Sequence, residues 1–197
     1  MIELNENTYF TSDTHFCHNK SFLYEPRGFS SIAEHDESIV GRWNSVIDIH
    51  DTVVHLGDIC LVDTEKAISY LHRLKGRIIW IIGNHDTNQR IQTILQTCPN
   101  ITILENNQYA AIFKYKKLKF YCSHYPTLTS NFDEHHFSQH LINLHGHTHQ
   151  KFSFININNP FIYHIGLDSH NCTPININDI ITDIRLQYEE INKIKPI

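Results

Sequence analysis

Five short clusters concentrate imidazole, carboxylate and carboxamide groups: "SDTHFCH" (12–18), "GDIC" (57–60), "GNHD" (83–86), "SHYP" (123–126) and "GHTH" (146–149). Asp13 and His15 are two residues apart, as are His147 and His149. In extended backbone that spacing places both side chains of a pair on one side. Imidazole and carboxylate together suit Mn, Fe, Zn or a related divalent metal. Asp13, His15, Asp58, Asn84, His124, His147 and His149 exceed what one tetrahedral site takes and suit two ions. With so few acids in the set, one carboxylate has to bridge, and Asp58 is the natural bridge. Gly146 lets the backbone come close to such a site, and His145 reads as a core or supporting residue. Taken singly, each cluster is an ordinary polar turn. Their joint occurrence, each closing an apolar run, is what points to a site.

Such clusters can meet only if the elements before them deliver them to one place. "TYFTSDTH", "DTVVHLGD" (51–58) and "RIIWIIGNHD" (77–86) read as short strands running into polar loops. Between them, "SIAEHDESIVGRWNSVI" (31–47), "TEKAISYLHRLK" (64–75, closed by Gly76) and "NQRIQTILQTC" (88–98, stopped by Pro99) read as helices. After residue 100, "ITIL", "QYAAIFKY", "LKFYCSHY", "LINLHGH", "KFSFINI" and "FIYHIG" read as successive strands, and a last amphipathic helix covers 177–194. Alternation implies parallel βαβ units in the first half, and the run of strands implies antiparallel pairing in the second. In an open α/β sheet, ligands bind beyond the carboxyl ends of the strands, where these clusters stand. His55, inside an apolar strand, reads as packed. His50, His72, His135, His136, His140 and His170 read as surface or core residues.

The 197 residues, 41% hydrophobic and 19% charged, fit one domain spanning 1–197 with a sizeable core. No apolar run approaches bilayer length, so no membrane partner is expected. "MIELNENTYF" lacks the basic start and apolar stretch of a secretory signal. The five cysteines are odd in number, scattered and without a C-x-x-C pair, which predicts reduced thiols and a cytoplasmic setting. The formal net charge is −5, and the densest cationic stretch, "FKYKKLKF" (113–120), reads as a strand with one solvated face. Sequence-independent duplex binding needs many cationic contacts, so nucleic acid is not a favoured partner.

The ordered set "DTH … GD … GNHD … SH … GHTH" resembles the calcineurin-like metallophosphoesterase superfamily over about residues 8–170. "FTSDTHFCHNKSF", "WNSVI…DTVVHLGD" and "SHYP" are similar to a compact bacterial and phage-type subfamily of it. The resemblance implies a four-layer α/β/β/α sandwich with mixed sheets. It implies that Asp13, His15 and His149 hold a first ion, that Asn84, His124 and His147 hold a second, and that Asp58 bridges. By the same resemblance His85 is the catalytic histidine and not a ligand. The implied chemistry is attack on phosphorus by a hydroxide bridging two ions about 3.5–4 Å apart. His85 would then protonate the leaving oxygen. Asp86 is expected to orient the His85 ring, with Asp168 as a second candidate. His18, Asn19 and Arg27, which follow the first motif, are candidate pocket residues. Manganese is the first expectation, with Fe, Zn, Ni or Co as alternatives. The expected substrate is a small or nucleotide-derived phosphodiester. A phosphomonoesterase or protein phosphatase comes next, then a nuclease. A non-catalytic scaffold is disfavoured because all seven ligands and His85 are present. Two departures from the subfamily stand out. Cys17 replaces a glycine, adding bulk and an oxidisable thiol, and His164 stands where asparagine is common.

Overall fold

The computed structural model describes residues 2–106, 108–129 and 136–194; His135 lies outside them. The strands in chain order are β1 (Ile2–Glu3), β2 (Thr8–Thr11), β3 (Thr52–His55), β4 (Arg77–Trp80), β5 (Ile101–Ile103), β6 (Ala110–Tyr115), β7 (Leu118–Ser123), β8 (Leu141–His145), β9 (Ile162–His164) and β10 (Ile175–Asn176). The helices are α1 (Ser21–Tyr24), α2 (Ile32–Val46), α3 (Thr64–Leu71), α4 (Asn88–Thr97) and α5 (Ile177–Ile194).

Each long helix of the first half starts on a side-chain cap that satisfies a backbone N–H left free by the first turn. Ser31 accepts from the Glu34 amide at 3.2 Å, Asp63 from Lys66 at 2.9 Å, and Thr87 from Arg90 at 3.4 Å. α3 ends at Leu71, short of the residue 75 its pattern predicts, because the chain turns through Gly76 (φ 84°) into β4.

One sheet has the order β10-β2-β3-β4-β5 and is parallel except for its edge strand β10; the other runs β1-β6-β7-β8-β9. The expectation of antiparallel pairing in the second half holds only for the β6–β7 hairpin, since β7–β8 and β8–β9 are parallel. The cause lies in the connections. Residues 124–140 and 146–161 are long crossovers, and a crossover of that length returns the chain to run in the same direction. β7, β8 and β9 therefore deliver their carboxyl ends to one edge, as β2, β3 and β4 do. "KFSFINI" forms no strand and contributes one bridge, Phe154 to Tyr163. "FKYKKLKF" is not one strand but the β6–β7 hairpin, turning at Lys116 and Lys117.

Two apolar cores hold these layers together. α2, α3 and α4 pack Ile39, Trp43, Leu71 and Ile94 onto Val53, Ile78 and Trp80 of the first sheet. That sheet's other face, with Phe10, Val54, Ile79 and Ile81, meets Phe113, Phe120, Cys122, Leu144 and Tyr163 of the second sheet. α5 adds Ile177, Ile180 and Ile184 to this inter-sheet core. It is tied there by hydrogen bonds from Tyr115 to Asn178 (3.0 Å) and from Tyr163 to Asp183 (2.6 Å). Helices outside the first sheet, two stacked mixed sheets and α5 closing the core between them make a mixed α/β architecture consistent with the expected sandwich. At the carboxyl edge the two sheets are joined directly, by a parallel bridge between Ser12 and Gly166 and by a bond from the Leu167 amide to the Ser12 carbonyl (3.3 Å).

Candidate metal centre

The loops after β2, β3, β4, β7 and β8 meet at this joined edge. Their backbone is not extended there. Asp13, His15, Asp58, His147 and His149 all have positive φ, at 58°, 48°, 57°, 67° and 49°. The i, i+2 pairs therefore do not share a side by strand alternation; left-handed turns aim each one separately. His149 turns toward His15 (ring centroids 5.0 Å apart) and His147 toward His124 (5.1 Å). The chain keeps this shape because three glycines leave room for it. A Cβ on Gly57 would lie 2.5 Å from the Gly83 amide, one on Gly83 would strike Asp58, and one on Gly146 would strike Ser12 and Asp13.

Among the described residues, two groups place ligand atoms close enough to hold a metal: Asp13, His15 and His149, and Asp13, Asp58 and His124. Asp13 Oδ1 lies 3.7 Å from both His15 Nε2 and His149 Nε2. Asp58 Oδ2 lies 3.7 Å from His15 Nε2, 3.4 Å from His124 Nε2 and 3.9 Å from His85 Nε2. Asn84 Oδ1 is 2.8 Å from His124 Nε2. His147 joins through its ring contact with His124, while its backbone amide donates to Asp13 Oδ2 at 3.0 Å.

Hydrogen bonds fix which imidazole nitrogens are free. His124 donates Nδ1–H to the Leu56 carbonyl (2.7 Å), and His149 donates Nδ1–H to Asp168 Oδ2 (2.9 Å). With Nδ1 committed in this way, each ring has Nε2 to offer a metal once that nitrogen gives up its proton, the arrangement that supports imidazole as a metal ligand. Burial opposes charge on Asp13, yet the bond from His15 and the fields of His149, His15 and His124 hold its carboxyl well below the usual range. Burial likewise opposes charge on Asp58, and the His124 bond overrides it downward. Burial opposes charge on His124 as well, but Asp58 and Asp13 push it up to about 9. Two buried carboxylates are thus kept ionised, and Asp13 Oδ1 has no hydrogen-bond partner. A buried charge in that state needs a cation, so the donor set fits divalent metal ions.

The surrounding residues do not all play the parts the sequence suggests. Asp86 does not reach the His85 ring. Its carboxylate accepts from the amides of Asp58 (2.8 Å), Gly83 (2.8 Å) and Ile59 (3.2 Å) and from the Trp80 indole (3.2 Å), so it props the Asp58 turn. Asp168 orients His149, not His85. Arg27 is neither a solvated loop residue nor open to a ligand: its side chain is 1% exposed and forks onto Asp168 at 2.9 and 2.8 Å. It also donates to the Asp13 carbonyl (2.8 Å) and to His35 Nε2 (2.9 Å). His35 in turn donates Nδ1–H to Asp36 (2.8 Å), whose other oxygen accepts from the Cys17 amide (3.0 Å). This buried chain behind the first ligand group escaped the sequence reading. Its signal was legible, because His35 and Asp36 fall on the helix face that carries Ile39, Val40 and Trp43. Arg90, which donates to the His85 carbonyl, gave no comparable signal.

His18 borders the site: burial, then the neighbouring His15 and His85, push it down to about 4. Asn19 lies on the exposed loop beside it. Cys17 is buried in the helix-side core, and its φ of 64° explains why glycine suits that position; burial pushes its thiol up to about 12. His164 packs against His145 (5.3 Å between centroids) and bonds Ser169. His55 and His145 are fully buried. His55 accepts from the Gly57 amide (3.2 Å) and pairs with Thr14 (3.0 Å). His140 stacks on Phe161 at 3.7 Å, while His50 and His72 are exposed.

A carboxylate–imidazole centre at the joined carboxyl ends of two sheets defines a class, the metal-dependent hydrolases of phosphoesters. The chain belongs to the calcineurin-like phosphoesterase superfamily, whose domain model matches residues 8–161. It is 30% identical over 182 residues to an uncharacterized protein of Methanocaldococcus jannaschii, covering 88% of each chain. It is 29% identical to the Gene 66 protein of Mycobacterium phage D29, covering 90% of this chain and 97% of the phage protein. In fold it is similar to a protein of unknown function from Aquifex aeolicus, with a TM-score of 0.65 at 22% identity, covering 89% of this chain and 97% of that one.

Proposed function

We propose that the protein is a binuclear phosphodiesterase acting on a small or nucleotide-derived ester. In this reading Asp13, His15 and His149 hold one ion, Asn84, His124 and His147 hold the other, and Asp58 bridges. The placement of Asp58 Oδ2 between His15 and His124, at 3.7 and 3.4 Å, supports the bridge. When bound, such ions acidify water and neutralise charge on the phosphoryl oxygens. Manganese suits the mixed N/O donor set.

The chain's own residues supply the rest. Asp168 and the Leu56 carbonyl keep His149 and His124 in the tautomer that presents Nε2. Asp86 holds the backbone turn that carries Asp58. The His85 ring is half-exposed, and its Nε2 stands 3.9 Å from Asp58 Oδ2 in the lining of the adjoining cavity. There it hands a proton to the departing ester oxygen.

The observation that carries the diester over the monoester is a cavity of about 480 Å³ beside these groups, lined in part by His15, His18, His85 and His149 with no lysine or arginine among the described residues. A monoester dianion calls for cationic side chains beyond the metals, and a singly charged diester does not. Five free, buried cysteines support a reducing compartment for the protein, and no described helix is long and apolar enough to cross a membrane. The test is turnover of bis-p-nitrophenyl phosphate against p-nitrophenyl phosphate with added manganese. The reading expects the diester to be preferred in kcat/KM; preference for the monoester overturns it.

A further inference from the structure

The cavity beside His85 has a second kind of wall. Phe22, Leu23, Pro26 and Leu61 line the cavity together with the histidines. Phe22 sits on the one-turn helix α1, which is anchored by the buried Leu23, yet its own ring is 70% exposed. It meets His18 edge-on, with centroids 5.7 Å apart. A large aromatic left in water at the mouth of a catalytic cavity is a recognition feature rather than a packing one.

Leu61, also in the lining, precedes a strained turn. The Asp63 amide bonds back to the Leu61 carbonyl at 2.8 Å, a γ-turn whose central residue, Val62, has φ 64°. A β-branched side chain avoids that region. Val62 is itself 77% exposed, so no burial of its own offsets the strain. What the turn achieves is to face Leu61 into the cavity. Among the described residues the only ionic side chain in the lining, histidines aside, is the carboxylate of Asp168.

We infer that this cavity is the subsite for the organic arm of the ester and that the arm is an uncharged planar ring, an aryl or nucleobase-bearing group stacked on Phe22. The inference rests on the phosphoesterase reading of the adjoining centre. An anionic arm finds no lysine or arginine there and a cationic arm finds only Asp168, already bonded to Arg27 and His149, while a flat neutral ring finds an aromatic face and aliphatic neighbours.

Phosphonates test this without turnover, because their P–C bond is not hydrolysed. Calorimetry on manganese-loaded protein compares methylphosphonate, benzylphosphonate and 4-carboxybenzylphosphonate. The expected result is benzylphosphonate bound about tenfold tighter than methylphosphonate, with most of that gain lost for the carboxylated ring. In Phe22→Ala, an exposed position where folding is not at stake, the benzyl-to-methyl ratio should fall to near one. Phe152→Ala, which removes an equally exposed ring outside the cavity (76% exposed), should keep the tenfold ratio. Equal affinity for the benzyl and methyl ligands, an undiminished carboxybenzyl ligand, or a ratio unchanged by Phe22→Ala overturns the subsite alone. If metal-loaded protein binds no phosphonate and hydrolyses no phosphoester, the phosphoesterase reading falls first and the subsite with it.

Discussion

Asp58 and His85 stand 3.9 Å apart, and one substitution in each separates a ligand from a proton donor. In the proposed binuclear site Asp58→Asn removes a negative charge from between two cations, so it should cost at least one ion together with activity. His85→Ala removes no ligand atom in this account. Both ions should stay while turnover falls by about 10²–10⁴-fold on an ester with a poor leaving group. The loss should shrink on a p-nitrophenyl ester, whose leaving group departs without a proton. Metal content and rate on both esters decide it, and loss of metal in His85→Ala would make His85 a ligand. Asp86→Ala should act differently from either. It strips three amides and the Trp80 indole of a buried acceptor, and each orphaned donor costs about 1–3 kcal/mol. A destabilisation of about 3 kcal/mol or more, read by urea denaturation of the metal-free protein, is the expected outcome; a change within experimental error would show that Asp86 is not the prop of the turn. At this scale residue type was the legible part. Asp, Asn and His in five clusters announce a metal chemistry. What the spelling does not carry is direction. Asp86 follows His85 in sequence and Asp168 lies far from His149, yet Asp86 turns back to the Asp58 loop and Asp168 bonds His149.

The elements explain why side chains from five loops reach one point. Strands β2, β3 and β8 end in left-handed turns rather than continuing, and glycines at 57, 83 and 146 clear the space into which those turns fold. Gly146→Ala should therefore displace Asp13 and weaken manganese binding by about tenfold or more, as loss of a supporting contact around a metal does, while leaving the strands paired. Circular dichroism with a metal titration checks both halves, and unchanged affinity would contradict the close-approach argument. The helices and most strands were legible from apolar periodicity and caps. The direction of β8 and β9 was not, because periodicity reports which face is buried and says nothing about which way a strand runs. Length of connection was the missed clue: "SHYP" is separated from "LINLHGH" by a span too long for a hairpin.

Across the whole molecule, histidine burial sets the response to acid. Burial pushes His55 down to about 3, His164 to about 3 and His145 to about 4, against about 6.5 in an unfolded chain. Between these values the unfolded chain binds protons that the folded one refuses, so stability must fall as pH drops. His124 works in the other window. Its value of about 9 adds stability that is complete below about 6.5 and lost as pH rises toward 9. Metal-free protein should thus be most stable near pH 6.5 and lose stability steadily toward pH 4.5, as read by denaturant midpoints. A flat profile would mean these rings are not buried as neutral species.

The central claim concerns the centre that all of this positions. The proposal is that seven donors from five loops, with Asp58 Oδ2 between His15 and His124, hold two ions. Metal analysis of protein saturated with manganese and freed of excess should give two ions per chain, with phosphodiester turnover rising as the second is filled. Saturation at one ion, with no turnover gained on further loading, would contradict it.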